Sequence, residues 1–389
     1  MVFILYFAES RMDKKKICFI TAAPITATAF LTSHMEALGK SYSVHYVCNA
    51  RADAVASVPC DEFHNVAIER GISIISDIKA LIKLYKYFSA RKFDAVHSVT
   101  PKAGLLTAIA GWLASVPVRI HIFTGQVWAT KKGFPRWLLK SLDKIIVRLD
   151  THILVDGKSQ RAFLEKEGIL KPGCATVFGD GSISGVDCNK FAPDPDLRRR
   201  HREELGIGKD TLVYLFIGRL TRDKGIGELL EAYDMLASEA KDVFLLLVGW
   251  DEQNYADTFR QYSHICKENF CYYGSVANPA EVMNVGDVCV LPTYREGFGS
   301  SVLEAAALGM PAITSDAYGV LDATVEGETA LRCRVADVQS LYKCMRYFNN
   351  NRQQVIIMGN HSYERVRSCF SSERITNCWV DYYNSLLGD

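Results

Sequence analysis

The sequence has few of the features that mark a membrane-spanning, secreted or metal-binding chain. The apolar run at its start, Val2–Ala8, has seven residues, whereas a helix that crosses a bilayer needs about 20. No small-residue cleavage site follows that run, so a secretion signal is not expected. The 12 cysteines show no paired C-x-x-C spacing, which argues against a zinc site and favours the reduced thiols of the cytosol.

The sequence contains a second candidate for the methionine at which translation starts. Met12 begins the segment M-D-K-K-K-I-C-F-I-T, a basic lead into an apolar strand. We expect translation to begin at Met12, which would make residues 1–11 a spurious extension. The intact mass of the native protein tests this expectation.

Length, composition and charge describe a globular chain with two different halves. At 389 residues the chain exceeds one typical core, which predicts two domains. With 49% hydrophobic and 23% charged residues, it does not have the composition of a disordered chain. Residues 1–190 hold 25 basic and 16 acidic side chains, and the remainder holds 20 and 28. The basic half therefore predicts an anionic partner.

Short apolar runs alternate with stretches of helical period along the whole chain. This pattern is typical of parallel sheets that are covered by helices on both faces. A one-face apolar spacing also predicts an amphipathic helix at Lys224–Ser238. The fold class is therefore α/β, with two doubly wound, Rossmann-like domains. The predicted strands are Ile17–Thr21, Val44–Cys48, Ala95–Val99, Val118–Phe123, His152–Val155, Ala175–Phe178, Leu212–Ile217, Phe244–Val248, Val288–Leu291 and Ala312–Thr314.

The alternation breaks at residues 187–210. Pro193 and Pro195 precede a charged run, Arg198–Glu204, before the second set of strands begins. Clusters of this kind interrupt regular structure. We interpret the stretch as the linker between the two domains.

This linker divides the chain into an N-terminal acceptor-binding domain, 1–195, and a nucleotide-sugar-binding domain, 205–370. A C-terminal helix at 371–389 is expected to pack back toward the N-terminal domain. Two doubly wound domains that face each other place a ligand cleft at the carboxyl ends of both sheets. The D-x-D of 194–196 lies in the linker and not at a strand end, so we do not interpret it as a metal site.

A basic loop follows the first strand of the second domain. Residues 218–225 read G-R-L-T-R-D-K-G, between a predicted strand and a predicted helix. Arg219 and Lys224 then lie at the carboxyl edge of the sheet, beside helix amides that favour an anion. Two fixed cations suit a diphosphate and would stabilise it as a leaving group without a metal. A solvated basic turn is the alternative.

A second loop, Leu291–Ala305, runs from a strand through two glycines into a helix. Gly297 and Gly299 let the backbone approach a ligand closely. Ser300 and Ser301 open the helix, whose first amides face the same anion site.

Two glutamates of this loop and helix are candidate ligand contacts. Glu296 falls in the loop and Glu304 lies about two turns into the helix. Carboxylates accept paired hydrogen bonds from vicinal hydroxyls, and a nucleotide-sugar offers such diols on its sugar and on its ribose. The alternatives are a turn residue for Glu296 and a helix-surface residue for Glu304.

Together these two segments resemble the signature of glycosyltransferase family 4. Two glutamates with seven residues between them surround E-G-F-G, and the segment continues as E-A-A-A-L-G-M-P-A-I-T-S-D. The upstream G-R-L-x-x-x-K-G is similar to the phosphate-binding segment of that family. With 248–250 (V-G-W) and 273–275 (Y-G-S), the resemblance covers most of residues 205–335.

The resemblance implies a GT-B fold and sugar transfer with retention of the anomeric configuration, without a metal cofactor. By position, Glu296 is expected to contact hydroxyls of the donor sugar, and Glu304 those of the ribose. Arg219 and Lys224 are expected to hold the diphosphate, so these two residues and Glu296 are the catalytic candidates. The other donor-binding candidates are Gly297, Phe298, Gly299 and Ser300 and, near the nucleobase, Gly274, Ser275 and Val276.

The first half resembles, more specifically, family members that build bacterial surface polysaccharides on a lipid diphosphate carrier. The segments are 97–104 (H-S-V-T-P-K-A-G) and 116–128 (V-P-V-R-I-H-I-F-T-G-Q-V-W). In much of the family a histidine ends the second strand and touches the donor sugar. His121 comes too early for that role, so we interpret it as a strand residue. Thr124 and Gln126 are the candidates to contact the donor sugar in place of that histidine.

Three further acceptor-side candidates come from the first of these segments. They are His97, Thr100 and Lys102. His97 has an equally good interpretation as a hydrogen-bonded histidine under the loop. Lys102 could pair with an acceptor phosphate or be an ordinary exposed lysine.

The cations of the first half concentrate in two stretches, Lys79–Lys92 and Lys131–Arg148. Both alternate basic with apolar and aromatic residues. Such helices can lie on an anionic bilayer, where each cation adds about 1 kcal/mol near the surface, although a solvated helix face is the alternative. We expect a cytoplasmic protein, peripheral on the inner face of the bacterial plasma membrane. No nucleic acid is expected, since no recognised binding motif accompanies the charge.

The predicted function is therefore that of a retaining hexosyl- or N-acetylhexosaminyl-type glycosyltransferase. A hexose, N-acetylhexosamine or deoxysugar would move from a nucleotide-diphosphate donor, with UDP favoured. The expected acceptor is an undecaprenyl-diphosphate-linked saccharide in O-antigen, capsule or exopolysaccharide assembly. There are two alternative functions. The first is a nucleotide-sugar epimerase or hydrolase, which would turn over its nucleotide-sugar without a second, acceptor molecule. The second is an inactive nucleotide-sugar-binding module, which would bind the donor without turnover.

Overall fold

Strands of buried apolar residues alternate with helices in the computed structural model, which describes residues 14–69, 71, 73–266 and 268–388. The strands Leu212–Ile217 (L-V-Y-L-F-I) and Val243–Val248 (V-F-L-L-L-V) show why. Such continuously apolar, β-branched and aromatic runs form strands that are covered on both faces. The predicted start at Met12 and the extension 1–11 lie outside the described residues.

The first half forms a seven-stranded sheet in the order β3-β2-β1-β4-β5-β6-β7. The pairs from β3 to β5 are parallel. Its strands are β1 (Lys16–Ile20), β2 (Ser43–Cys48), β3 (Glu62–Asn65), β4 (Ala95–Val99), β5 (Val118–Phe123), β6 (His152–Val155) and β7 (Ala175–Thr176). The helices of this half are α1 (Pro24–Phe30), α2 (Thr32–Gly39), α3 (Ile74–Arg91), α4 (Pro101–Leu113), α5 (Gly133–Leu149) and α6 (Lys158–Lys166).

The second half forms a six-stranded sheet in the order β10-β9-β8-β11-β12-β13, with every neighbouring pair parallel. Its strands are β8 (Leu212–Ile217), β9 (Val243–Val248), β10 (Phe270–Gly274), β11 (Val288–Leu291), β12 (Ala312–Ser315) and β13 (Ala330–Cys333). Its helices are α7 (Pro195–Glu204), α8 (Ile226–Glu239), α9 (Pro279–Met283), α10 (Ser300–Ala307), α11 (Val320–Ala323), α12 (Val338–Asn350), α13 (Arg352–Cys369) and α14 (Ser372–Leu387). The predicted α/β class with two Rossmann-like sheets is confirmed.

The charged run of the predicted linker is helical and forms part of α7. Asp194 caps α7 by accepting hydrogen bonds from the amides of residues 196 and 197. Arg198 and Arg202 of α7 both form ion pairs with Asp287, and both donate to the carbonyl of Val285. The arginines therefore fix the helix to the second sheet instead of facing solvent.

Backbone contacts divide the chain into two compact units. The first unit contains the chain up to Ile122, with Ile145–Ile153 and the segment from Trp379 onward. The second unit contains Phe123–Lys144 and Leu154–Cys378. The predicted domain boundaries, which follow sequence order, stay a prediction.

A buried aromatic stack completes the core of the first unit. The Trp379 ring of α14 stacks on His34 at 4.8 Å and on His97 at 4.9 Å between centroids. The Tyr383 hydroxyl lies 2.9 Å from Nδ1 of His97. Offset stacking of this kind stabilises a core beyond the area that it buries. The last two turns of the C-terminal helix therefore supply part of the first core.

A second feature of the first unit predicts a stabilising substitution. Neither side-chain oxygen of Asp150 has a hydrogen-bond partner among the described residues. Burial raises its pKa to about 8, although Arg119 opposes the shift. The unfolded chain loses this proton near pH 4 while the folded protein keeps it, so stability is lost as pH rises from about 4 to 8.

Asp150→Asn is therefore expected to stabilise the protein by about 1–3 kcal/mol at pH 8, because it removes the buried ionisable group. Thermal unfolding of both proteins between pH 4 and pH 8 measures the difference. The gain should shrink toward pH 4. A gain that is the same at both ends of this range would contradict the pKa assignment.

Candidate functional site

The loop between β8 and α8 carries both predicted diphosphate-binding cations. Arg219 is separated from β8 by Gly218 alone, and Lys224 ends a short 3₁₀ turn before α8. Gly225 has a φ of 72°, and a Cβ there would lie 2.2 Å from the carbonyl oxygen of Pro292. Only glycine tolerates both conditions. The basic loop is thereby packed directly against the loop that follows β11.

Lys224 and Glu296 form an ion pair in which both side chains are largely buried. Charge-assisted hydrogen bonds of this kind are strong when water is excluded. The pair joins two motifs that lie 72 residues apart in sequence. The structure therefore brings together the two catalytic candidates that the sequence placed on different loops.

A hydrogen-bond network joins the two loops that carry this pair. The Asp223 carbonyl accepts from the Tyr294 amide and from the Thr293 hydroxyl, each at 2.8 Å. The Asp223 carboxylate accepts from Nε of Arg295 at 2.8 Å. The Tyr294 hydroxyl donates to Glu228. Backbone and side chains thus hold both loops in register on either side of Lys224.

Arg219, the other cation, is engaged by a residue that the sequence analysis did not single out. Its guanidinium lies 2.5 Å from Oε2 of Glu252, in the loop after β9. This pair is half exposed, so it contributes little stability. An incoming diphosphate could therefore displace Glu252 from Arg219 at small cost.

Glu304 lies on α10, where it is partly buried. Burial raises its pKa to about 7, and Lys190 opposes the shift. A carboxyl group with a pKa near neutrality in such a place is typical of a functional residue. Near pH 7, then, part of the protein carries Glu304 in its neutral form.

The remaining donor-binding candidates present backbone more than side chain. Gly299 has a φ of 83° and precedes Ser300, the first residue of α10. The Phe298 side chain is buried and packs on Phe370 at 5.4 Å between ring centroids. Only the main chain of Phe298 is then available to a ligand. Gly274 ends β10, and Ser275 and Val276 follow it at the carboxyl edge of the sheet.

The structure corrects one acceptor-side candidate of the first unit, His97, and gives another, Lys102, an ion-pair partner without testing its predicted role. His97 is fully buried in the aromatic stack, and burial holds its pKa well below the usual value. It is a core residue, not an acceptor contact. Lys102 donates to the Gly71 carbonyl and lies 2.7 Å from Asp77, so its charge connects α4 to α3.

The other predictions for this unit concern His121 and Thr100. His121 lies within β5 with Nδ1 at 2.8 Å from the Ser98 hydroxyl, and burial lowers its pKa to about 3. Its interpretation as a strand residue is confirmed. Thr100 has a φ of 84°, which is strained for a β-branched residue, and its buried hydroxyl lacks a hydrogen-bond partner among the described residues. Thr100 stays an acceptor-side prediction.

Thr124 contacts the Glu296 loop within the second unit, and Gln126 contacts the loop that follows β12. A Cβ built on Gly297 would lie 2.4 Å from the Thr124 carbonyl oxygen. The main-chain amide of Gln126 donates to the hydroxyl of Tyr318 at 3.2 Å. Of the two candidates for the position of the missing histidine, Thr124 is therefore adjacent to the loop that carries Glu296.

Sequence reasoning missed Asp156, which lies directly after β6 and is buried. A Cβ on Gly297 would also lie 2.5 Å from Oδ2 of Asp156. Burial and the nearby charge of Glu296 raise its pKa well above the usual value. A lone aspartate after a strand carries no motif, so only the folded chain shows where it lies.

Two features that the described residues lack bear on metals and membranes. No group of three or more metal-ligating His, Cys, Asp or Glu side chains occurs among residues 14–388 outside the three gaps. Over the same part of the chain, no helix combines the length and the hydropathy that a bilayer crossing requires.

The assembled geometry suits the binding of an extended anionic ligand. Two cations, free glycine backbone and the start of α10 lie on loops at the carboxyl edge of one parallel sheet, the usual ligand position in such folds. Cations hold a diphosphate, and carboxyl groups accept from hydroxyls. The arrangement therefore matches a nucleoside diphosphate that is linked to a polyol.

Family models and relatives identify the chain more closely. Residues 198–365 match the model for glycosyl transferases group 1, and residues 25–178 match a glycosyl transferase 4-like domain. The capsular polysaccharide biosynthesis glycosyltransferase CapM of Staphylococcus aureus is 31% identical over 326 residues, covering 83% of this chain and 85% of CapM. An Escherichia coli UDP-Gal:alpha-D-GlcNAc-diphosphoundecaprenol alpha-1,3-galactosyltransferase is 28% identical over 64% of this chain and 65% of its own length.

Solved structures agree with this assignment at the level of the fold. Anabaena HepE in complex with UDP superimposes with a TM-score of 0.77 at 17% identity, covering 95% of this chain and all of HepE. Sucrose-phosphate synthase from Thermosynechococcus elongatus gives 0.78 at 19% identity, covering 96% of this chain and 99% of the synthase. Since both halves match family models and most of CapM aligns with it, the chain belongs to the group 1, family 4-like glycosyl transferases and has the GT-B fold.

Proposed function

We propose that this glycosyltransferase transfers a sugar with retention from a nucleoside-diphosphate donor, with UDP favoured, and without a metal ion. The buried Lys224–Glu296 pair carries the proposal. It places a cation for the leaving phosphate next to a carboxylate for sugar hydroxyls. The structures of HepE with UDP and with UDP-glucose support a UDP-linked donor.

The chemistry needs no protein nucleophile. The bond between the anomeric carbon and the phosphate oxygen breaks, and the acceptor hydroxyl forms a new bond to that carbon on the same face. Its proton passes to the leaving phosphate oxygen. Lys224 and Arg219 stabilise the charge that develops there, while Glu296 fixes the sugar.

The proposed acceptor is a lipid-diphosphate-linked saccharide in capsule, O-antigen or exopolysaccharide assembly. CapM and the Escherichia coli galactosyltransferase support this class of acceptor. A cavity of about 600 Å³ in the second unit is lined by Lys131, Lys132 and Arg136, next to Tyr294. Arg136 is tied to Glu167 at 2.8 Å, whereas both lysines are exposed. The lysines would thus be available to an acceptor diphosphate.

Peripheral binding to the cytoplasmic membrane surface is part of the proposal. In α3, Ile74 and Ile78 are 72% and 52% exposed, and Lys79, Lys83 and Lys86 of the same helix are also exposed. Exposed apolar and basic residues on one helix suit an anionic bilayer. Sedimentation with vesicles of anionic or neutral lipid tests this. Binding to anionic vesicles that survives replacement of the three lysines by serine would contradict a role for α3.

Thermal stabilisation by UDP, GDP, ADP and their sugar conjugates, in EDTA, tests the donor assignment. Ligand at a hundred times its Kd should add about 2.7 kcal/mol. A shift with one nucleotide family that is lost in Arg219→Ala would support the proposed site. The absence of any shift would favour an inactive module, and donor consumption without an acceptor would favour a hydrolase or epimerase.

The pKa of Glu304 predicts a pH dependence of nucleotide binding. Only the ionised carboxylate accepts both hydrogen bonds of the ribose diol, and its pKa is raised to about 7. Affinity should therefore fall as pH drops below 7, approaching tenfold per unit. Calorimetric titration of UDP from pH 6 to pH 8 measures it. Subtracting the profile of Glu304→Gln removes the titration of UDP itself, and identical profiles would contradict the role of Glu304.

A further inference from the structure

Asp156 is a buried carboxyl group that forms no ion pair within the described part of the chain. Its side chain is 3% exposed, and Oδ1 has no hydrogen-bond partner among the described residues. Its main chain is well fixed, because the amide donates to Oε1 of Gln160 at 2.8 Å and the carbonyl accepts from Ser182 at 2.7 Å. Buried polar atoms are almost always paired, so an unpaired one in a rigid place calls for an explanation.

The carboxyl group lies against the backbone that carries Glu296. A Cβ on Gly297 would meet Oδ2 of Asp156 at 2.5 Å, so glycine is required for the two segments to approach. Burial and then the charge of Glu296 raise the pKa of Asp156. The neutral acid is favoured, and it can donate as well as accept a hydrogen bond.

Gln126, which is linked to Asp156 through the side chain of Gln160, supplies a second unpartnered polar group. It is 1% exposed, and its Nε2 has no hydrogen-bond partner within the described chain. The orientation of the Gln126 side-chain amide follows from Gln160, because Oε1 of Gln160 already accepts a hydrogen bond from the main-chain amide of Asp156. The Nε2 of Gln160 must then face Oε1 of Gln126, at 3.5 Å. This leaves the side-chain NH₂ of Gln126 free to donate.

We propose that Asp156 and Gln126 bind a hydroxyl group of the sugar that is transferred, with Gln160 as the residue that positions both. A sugar hydroxyl is small and neutral, and it donates and accepts at once, which matches a carboxyl group beside an amide donor. A phosphate would not suit a site with two carboxyl groups. The inference rests on the proposed donor and names the residues that recognise its sugar.

The test separates the sugar from the nucleotide. Asp156→Ala is expected to raise the Kd of the UDP-sugar that the wild type turns over by about tenfold, while the Kd of UDP changes less than twofold. Gln126→Leu should give the same separation, and it decides the matter if Asp156→Ala fails to fold. Deoxy analogues of the UDP-sugar identify the hydroxyl that Asp156 binds. The analogue that lacks this hydroxyl should bind the wild type more weakly than the parent UDP-sugar does, and Asp156→Ala should not weaken its binding any further.

Asp143→Asn is the matched control. Asp143 is also a buried carboxyl group of the second unit, but its Oδ2 accepts from Nε1 of Trp128 at 2.6 Å. Its replacement should lower thermal stability and leave the ratio of the two Kd values unchanged. Equal weakening of UDP and UDP-sugar by Asp156→Ala, or no change in either, would overturn the proposal. A wild-type protein that binds no nucleotide would overturn the donor assignment itself, and this inference with it.

Discussion

Glu296→Gln is expected to lower kcat by about 10²- to 10³-fold, the usual effect of removing one group that acts mainly in the transition state. The substitution keeps the volume of the side chain but removes the charge that pairs with Lys224. The sugar then loses its carboxylate acceptor, and Lys224 loses the partner that orients it. Steady-state transfer assays with the purified protein measure the change.

The UDP affinity of this variant should stay within about threefold of wild type, since Glu296 is assigned to the sugar and not to the nucleotide. Glu328→Gln, at an exposed glutamate of the same unit, controls for a general loss of one negative charge. Wild-type turnover in Glu296→Gln would remove this residue from the mechanism. A large loss of UDP affinity would move it to the nucleotide.

Lys224→Met is expected to be at least as damaging, with a loss of about 10³-fold in kcat/KM. The substitution removes a cation from the leaving phosphate and leaves Glu296 buried without its counter-ion. Removing one partner of such a pair costs more than the pair contributes. Both UDP affinity and turnover should therefore fall, which distinguishes this variant from Glu296→Gln.

Lys241→Met provides the comparison, because Lys241 is an exposed lysine at the opposite, amino-terminal end of β9. Titration with UDP and transfer assays should leave it close to wild type. If Lys224→Met keeps its UDP affinity, the diphosphate is held by Arg219 and the backbone alone.

Much of the fold could be predicted because its central strands are continuously apolar. The strands β8 and β11 occur at the predicted residues, and β9 begins one residue earlier. The three strands that were missed, β3, β10 and β13, all lie at sheet edges. Edge strands are partly exposed, so they need not be apolar; β3 reads E-F-H-N.

The donor loops could be located in sequence because their chemistry is local. The fixed spacing of glycines, cations and glutamates in these loops is enough to identify Lys224 and Glu296 as candidates without knowledge of the fold. Glu252 and Asp156 could not be found in this way, since each acts on a residue that is distant in sequence. Their roles depend on which strand ends lie side by side.

The burial of His97 and the ion pair of Lys102 could not be predicted for a related reason. Burial of His97 depends on a helix that begins at Ser372, and pairing of Lys102 depends on Asp77 in α3. A histidine at a strand and a lysine at a helix start look the same in sequence whether they face a ligand or a neighbouring helix. Only the tertiary partner decides between them.

The aromatic stack of the first unit also constrains how the protein is made. His97 and its partner Tyr383 are 286 residues apart in sequence. The ribosome therefore synthesises the whole second unit before the core of the first unit can be completed. Until then Phe19 and His97 lack the rings that cover them. Domains generally fold as they emerge from the ribosome. Here the part of the chain that is synthesised first cannot complete its aromatic core until Trp379 and Tyr383 have been synthesised.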